Sequence, residues 1–141
     1  RKLSCRGDTF RAVFLDRWGS QYYEELLLME QLDLLNPAGC AIVADAVLRY
    51  GASLFLWHVL HTPYRTRLVR VQEFASLIND SMSISIFEGP IVAHPRQAPL
   101  EFLKVHREAE AMRLKVIGAD LTSVDLAEKN RFLDAMGKRM E

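Results

Sequence analysis

The sequence predicts an α/β fold built on a largely parallel sheet. Residues 11 to 16 and residues 40 to 45 are short apolar runs that end in an aspartate without polar alternation. Such runs are typical of strands that are buried on both faces, as in parallel sheets. A leucine-rich stretch with helical spacing lies between them. Together these segments form a strand–helix–strand unit, whose crossover we expect to be right-handed.

The first helix is predicted over residues 20 to 35. Ser20 is the expected N-cap, because its side-chain oxygen can accept a hydrogen bond from an unpaired backbone N–H of the first turn. Glu24 and Glu25 follow where the helix dipole favours acidic side chains. Asn36-Pro37 ends the helix before the second strand.

Two further strands are expected after a short helix over residues 52 to 61. Residues 64 to 71 look like a strand with one solvated face. In residues 81 to 87, aliphatic side chains alternate with serines, which predicts that the aliphatic side is buried and the serine side faces solvent. This alternation suits a strand at the end of a sheet, antiparallel to its neighbour.

The rest of the chain is predicted to be helical. Prolines mark residues 91 to 99 as a linker, and two helices follow it, the second capped by Thr122 or Ser123. We therefore expect an α/β part in residues 1 to 90 and a helical C-terminal extension in residues 100 to 141.

Composition argues against several classes of protein. The 18 Lys and Arg residues balance the 18 Asp and Glu residues, so no basic excess points to a nucleic-acid partner. Charges interrupt every apolar stretch before it could span a membrane, and no signal peptide is visible. Cys5 and Cys40 show neither metal-ligand spacing nor a disulfide framework, which favours a reducing compartment and hence the cytoplasm.

Asp16 and Asp45 are the candidate functional residues because each follows a predicted parallel strand. In open parallel sheets, ligands bind beyond the carboxyl ends of the strands. Neighbouring strands lie about 4.8 Å apart, so the two carboxylates could reach one small cation. Carboxylate oxygens suit Mg²⁺. The alternative, that each aspartate only caps the turn after its strand, remains open.

An ordered set of motifs resembles the second half of the catechol O-methyltransferase family. The motifs are Val-Phe-Leu-Asp-Arg-Trp at residues 13 to 18, Leu-Leu-Asn-Pro-Ala-Gly at 34 to 39, Ile-Val-Ala-Asp at 42 to 45, Phe-Leu-Trp-His-Val at 55 to 59 and Ile-Phe-Glu-Gly-Pro at 86 to 90. The resemblance covers about residues 1 to 90, and the remaining residues match no part of the family.

The resemblance implies a partial Rossmann-like class I methyltransferase sheet, made of its last four strands with an antiparallel end hairpin. It also implies S-adenosylmethionine as methyl donor, Mg²⁺ as metal and a small-molecule catechol as substrate, one hydroxyl of which is methylated. By resemblance, Asp16 and Asp45 are the metal carboxylates. Asp16, Arg17 and Trp18 lie in the stretch that touches the cofactor.

Four positions depart from the family pattern. Ala46 stands where the family has an asparagine as third metal ligand, and Gly19 stands where it has a lysine as general base. Ser83, after Met82, occupies the position of a glutamate that binds the catechol. Tyr50 replaces a proline at the catechol rim. We therefore name Tyr50, Met82 and Ser83 as candidate substrate contacts, and no catalytic base.

The main cofactor cradle of the family is not found in these residues. The seven glycines form no Gly-x-Gly pair, and the chain opens at Arg1 rather than at a methionine. We therefore expect a fragment that is inactive alone, with an exposed strand edge before Asp16 through which it could self-associate. The alternative is a non-catalytic interaction module derived from a methyltransferase.

Overall fold

The computed structural model describes residues 8–72, 79–89, 97–118 and 126–141. These ranges contain four strands, a 3₁₀ turn and four α-helices. In chain order they are β1 (Ala12–Leu15), the 3₁₀ turn (Gly19–Gln21), α1 (Tyr22–Gln31), β2 (Cys40–Ala44), α2 (Ser53–His61), β3 (Tyr64–Gln72), β4 (Asn79–Phe87), α3 (Leu100–Gly118) and α4 (Leu126–Met140). Cys5, the proposed caps Thr122 and Ser123, and residues 91 to 96 of the predicted linker lie outside the described residues.

The four strands form one mixed sheet in the order β1-β2-β4-β3. β1 and β2 pair in parallel, with Leu15 opposite Ala44. β4 pairs antiparallel with both β2 and β3. The α/β expectation and the antiparallel pairing of β3 with β4 are therefore confirmed. The sheet is mixed rather than largely parallel, and β4 lies between β2 and β3 rather than at the end of the sheet, because it pairs with both.

The main core lies between one face of the sheet and helices α1 and α2. Tyr22 and Leu26 of α1 and Phe55 and Val59 of α2 are fully buried against Ile42 of β2. Burying side chains of this size stabilises the fold by about 1.5–3 kcal/mol each before the loss of conformational entropy is counted. This packing fixes the orientation of β1 and β2, and of the loops that follow them, relative to helices α1 and α2.

The predicted orientation of β4 is wrong. Ser83 and Ser85 are fully buried, whereas Ile84 is only partly buried. The register explains the inversion, because Ser83 pairs with Ala44 and Ser85 with the core residue Ile42. Directly paired residues share a face of a sheet, so the serines face the helices. Alternation gives the period of a strand but does not show which face the helices cover.

Ser20 does not cap α1. The helix begins at Tyr22, after the 3₁₀ turn, and the flanking residue Gln21 makes no side-chain capping bond. The hydroxyl of Ser20 instead donates a hydrogen bond to Glu110 of α3, over 2.9 Å. The side chain predicted to cap α1 thus forms a tertiary contact with α3 instead.

A buried polar network ties α1 to α2 and β3. Glu30 accepts hydrogen bonds from the Tyr64 hydroxyl (2.7 Å) and, at 2.9 Å, contacts Nε2 of His58. Burial, together with the neighbouring Glu30 carboxylate, raises the pKa of the Tyr64 hydroxyl. His58 is therefore a core histidine with a polar partner on another helix.

The C-terminal helices pack against the loops at one end of the sheet. Ser53 at the start of α2 donates to the backbone carbonyl of Phe102 on α3, over 2.9 Å. Gly51, with φ +64°, lies directly under α3, where an added Cβ would be 2.7 Å from Cβ of Ala109. Glycine is required here both by the left-handed backbone and by the close approach of the helix.

The outer edge of β1 has no strand partner within the described residues. Phe14, on the sheet face opposite the helices, is 59% exposed. Self-association through this edge stays a prediction. None of the described helices is both long enough and apolar enough to cross a membrane.

Substituting Gly51→Ala should destabilise the protein by about 2–4 kcal/mol, because left-handed strain and overpacking against Ala109 add together. The control is Gly118→Ala, where an added Cβ meets no atom within 4 Å. The free energy of unfolding in urea measures both variants. Equal stability of Gly51→Ala and wild type would contradict the close contact with α3.

Candidate functional site

Three strand ends and one strand start meet at the same edge of the sheet. β1, β2 and β3 end there, and β4 begins there because it runs in the opposite direction. Asp16 and Asp45 directly follow the paired residues Leu15 and Ala44, and the Asp45 N–H donates to the Leu15 carbonyl over 2.9 Å. The two aspartates are thus neighbours across adjacent parallel strands.

A cavity of about 440 Å³ opens at this edge, within the size range of small-molecule sites. Its lining residues come from the loops after β1 and β2, the end of β3, the start of β4 and helix α4. They are Asp16, Arg17, Trp18, Asp45, Ala46, Arg49, Tyr50, Val71, Gln72, Asp80 and Lys129.

The structure brings most of the residues named from the sequence to this one cavity. Asp16, Arg17, Trp18, Asp45 and Tyr50 all line it. Trp18 and Tyr50 are in edge-to-face contact, with their ring centroids 5.1 Å apart. This arrangement presents two aromatic side chains beside the two carboxylates.

The other two candidate substrate contacts are not among the lining residues. Ser83 is fully buried within β4, and its hydroxyl has no hydrogen-bond partner among the described residues. Met82, its neighbour, is partly buried on the opposite face of the strand. Both lie further along β4 than Asp80, which does line the cavity.

The hydroxyl of Tyr22 holds the two aspartate-bearing loops together. It accepts a hydrogen bond from the Arg17 N–H over 3.0 Å and faces the carbonyl oxygens of Arg17 (2.8 Å) and Asp45 (3.1 Å). Burial raises the pKa of Tyr22 to about 12, and the nearby charges of Asp45 and Asp16 act in the same direction. One buried side chain therefore fixes the loop after β1 against the loop after β2.

Ala46 adopts a left-handed conformation, with φ +50°. The β-carbon of a non-glycine residue is sterically strained in this conformation, which costs about 1–2 kcal/mol. Asparagine tolerates this region better than alanine. Asparagine, which the resemblance implies at position 46, would thus also suit this backbone conformation better than alanine does.

Gly19 is enclosed by the backbone that follows β2. An added Cβ would lie 2.8 Å from the Tyr50 carbonyl oxygen and 3.0 Å from Cβ of Ala52. Carbonyl oxygens of a packed loop cannot move aside as a flexible side chain can. The position where the resemblance implies a lysine therefore has no room for a side chain in this chain.

Asp80 is a lining residue that the sequence did not reveal. Burial raises the pKa of its carboxyl group, and the negative charge of Asp45 adds to this effect. The Ser81 N–H, which donates to the carboxylate over 2.6 Å, and the nearby Arg49 oppose it. Asp80 is the second residue of β4, and the antiparallel pairing of that strand brings it to the cavity edge with the two strand-end aspartates.

Three cationic side chains also line the cavity. Arg17 forms an ion pair with Glu25, and Arg49 forms one with Asp134, each at 2.9 Å. The amine of Lys129 lies 5.6 Å from the centroid of the Trp18 ring, in cation–π contact. Arg49 and Lys129 were missed from the sequence because neither is part of a motif.

The donor set offers a pair of carboxylates rather than a complete metal cage. Within the described ranges, no group of three or more His, Cys, Asp or Glu could hold a metal ion. Mg²⁺ is commonly held by one or two carboxylates, with waters and substrate oxygens as its other ligands. Asp16 and Asp45 supply two carboxylates of the kind that such a site uses, and Ala46 adds no side-chain oxygen.

Comparison with known proteins confirms the predicted resemblance. The chain is 33% identical to catechol O-methyltransferase of Sus scrofa over 85 residues, which are 59% of this chain and 45% of that protein. It is 42% identical to catechol O-methyltransferase of Bos taurus over 52 residues, which are 37% of this chain and 19% of that protein. The matched stretches thus span less than half of each relative. No protein-family model matches the chain.

Substituting Tyr22→Phe should lower the free energy of unfolding at pH 7 by about 1–2 kcal/mol, because the bridging hydrogen bonds are lost. The folded state holds the hydroxyl proton more tightly than the unfolded chain. This stabilisation is therefore present below about pH 10 and is lost as the pH rises through about 12.

Urea unfolding between pH 7 and pH 11 tests this, with Tyr23→Phe as control. The Tyr23 hydroxyl is on the same helix but forms no hydrogen bond with a described residue. The two variants should differ at pH 7, and the difference should become smaller between pH 10 and pH 11. A Tyr22→Phe variant as stable as Tyr23→Phe at pH 7 would contradict the bridging role.

Proposed function

We propose that this chain carries the metal and acceptor part of a Mg²⁺-assisted, S-adenosylmethionine-dependent catechol O-methyltransferase. The observation that carries the proposal is the pair of carboxylates, Asp16 and Asp45, on adjacent parallel strand ends in one cavity. The similarity to two catechol O-methyltransferases supports the chemistry. On this view the sheet corresponds to the last four strands of a Rossmann-like class I methyltransferase, and residues 100 to 141 are a helical extension.

In this role, Asp16 and Asp45 would hold the metal between the two strand ends. Bound Mg²⁺ supplies Lewis-acid chemistry, which favours ionisation of a coordinated hydroxyl. Trp18 and Tyr50 would orient the aromatic ring of the acceptor beside the carboxylates. Tyr22 keeps the two loops at a fixed separation, so that an acceptor oxygen is positioned rather than merely bound.

Cofactor contacts within these residues would come from Asp16, Arg17 and Trp18. We place the activity in the cytoplasm, because two cysteines without a disulfide framework favour a reducing compartment.

A second candidate function is a non-catalytic interaction module. Two observations favour it: Gly19 has no room for a basic side chain, and Ala46 has no oxygen for a metal. Such a module needs neither metal nor acceptor. Substitution of Asp16 or Asp45 would therefore leave its interactions unchanged.

Titration of the protein with Mg²⁺ by calorimetry separates the two candidates. We expect weak binding by wild type that is lost in Asp16→Asn and in Asp45→Asn. Asp33→Asn is the control, because Asp33 is exposed at the end of α1 and does not line the cavity. Absence of Mg²⁺ binding, or binding that survives both cavity substitutions, would favour the interaction module.

The 141 residues alone should show no measurable affinity for S-adenosylmethionine. They contain no Gly-x-Gly turn to receive the cofactor, and three side chains at one loop make too small a contact surface for it. Calorimetry with S-adenosylmethionine, in the presence of Mg²⁺, measures this. Micromolar affinity would contradict the expectation that the principal cofactor contacts lie outside these residues.

Substituting Ala46→Asn should strengthen Mg²⁺ binding about tenfold, because it adds an oxygen ligand beside Asp45. It should also raise the free energy of unfolding by roughly 0.5–1 kcal/mol, since asparagine tolerates the left-handed backbone at this position. Ala46→Ser controls for polarity without the same reach. Unchanged Mg²⁺ affinity in Ala46→Asn would argue against a metal between the strand ends.

A further inference from the structure

Helix α4 reaches the cavity from outside the region that resembles the methyltransferases. It does so through Lys129, which lines the cavity beside Trp18. The helix is held in place by the ion pair between Arg49 and Asp134 and by the burial of Leu133 and Met136. Lys129 therefore reaches the site from a helix that is anchored by the residues following it in the chain.

Lys129 is distinct from the other cations of the cavity. The guanidinium groups of Arg17 and Arg49 are already paired with Glu25 and Asp134. The amine of Lys129 forms no ion pair with any residue that the structure describes. Among the described residues, it is thus the lining cation without an anionic partner.

A cation of this kind would favour an anionic ligand in this cavity. Asp16, Asp45 and Asp80 all line it, and their negative charges disfavour an ionised oxygen. A basic side chain cannot be placed at position 19, because an added Cβ would lie 2.8 Å from a backbone carbonyl oxygen. Position 19 therefore contributes no positive charge, and Lys129 brings it from α4.

We propose that the ammonium group of Lys129 binds the ionised hydroxyl of the aromatic acceptor in this cavity. This role rests on the proposed acceptor chemistry. On binding, the O–H bond of the acceptor breaks and its proton passes to solvent water. Lys129 keeps its own protons and donates a charge-assisted hydrogen bond to the phenolate oxygen. The acceptor ring lies against the edge-to-face pair of Trp18 and Tyr50.

The probe for this role is 4-nitrocatechol, whose visible absorbance reports its ionisation without any methyl donor. We expect wild type to bind the ionised form in Mg²⁺ buffer and to shift the ionisation of bound probe to lower pH. Lys129→Met should weaken binding of the ionised probe about tenfold and reduce that shift. Lys129→Arg keeps the charge and should retain most of both effects.

Two controls separate charge from packing. Lys138→Met removes an exposed amine from the same helix, away from the cavity, and should behave as wild type. The non-ionisable analogue 1,2-dimethoxy-4-nitrobenzene should bind Lys129→Met as it binds wild type, since a change in helix packing would alter both ligands equally.

These measurements separate the role of Lys129 from the proposed function. Loss of probe affinity in Asp45→Asn with no change in Lys129→Met overturns the role of Lys129 and leaves the proposed function standing. Absence of probe binding by wild type overturns both. Equal losses for the ionised probe and the neutral analogue in Lys129→Met reduce Lys129 to a packing role and overturn the inference.

Discussion

The geometry of the cavity depends on the buried hydroxyl of Tyr22. Two strands that end side by side do not by themselves fix where the following residues point, because loops leave a sheet in many directions. Tyr22 removes that freedom by bonding to the backbone of Arg17 after β1 and facing that of Asp45 after β2. The phenol ring is in turn fixed by its burial against Phe55. A core side chain thus sets the separation of two polar loops.

Much of the α/β framework could be predicted because its signals are local. Continuous apolar runs identified β1 and β2, and the aspartate at the end of each run located the edge of the sheet where the cavity lies. Parallel pairing of Leu15 with Ala44 then makes Asp16 and Asp45 neighbours. The sequence was sufficient to predict that Asp16 and Asp45 share an edge, because both follow strands that run in the same direction and lie side by side.

The remaining features depend on contacts between distant parts of the chain. The serines of β4 are buried because of their register with β2, and Ser20 leaves its helix terminus to bond Glu110. Asp80, Arg49 and Lys129 reach the cavity only through antiparallel pairing and helix docking. No periodicity or motif in one segment carries that information, since it arises from packing between segments.

The docking of α4 has a consequence for the order in which the protein matures during synthesis. The four strands and helices α1 and α2 precede α4 in the chain, so they leave the ribosome before it does. Until then the aspartates face open water, and the ring of Trp18 lacks its cationic neighbour. A nascent chain would therefore possess its acidic edge before Lys129 is in place, and Lys129 joins the cavity only after α4 has been synthesised.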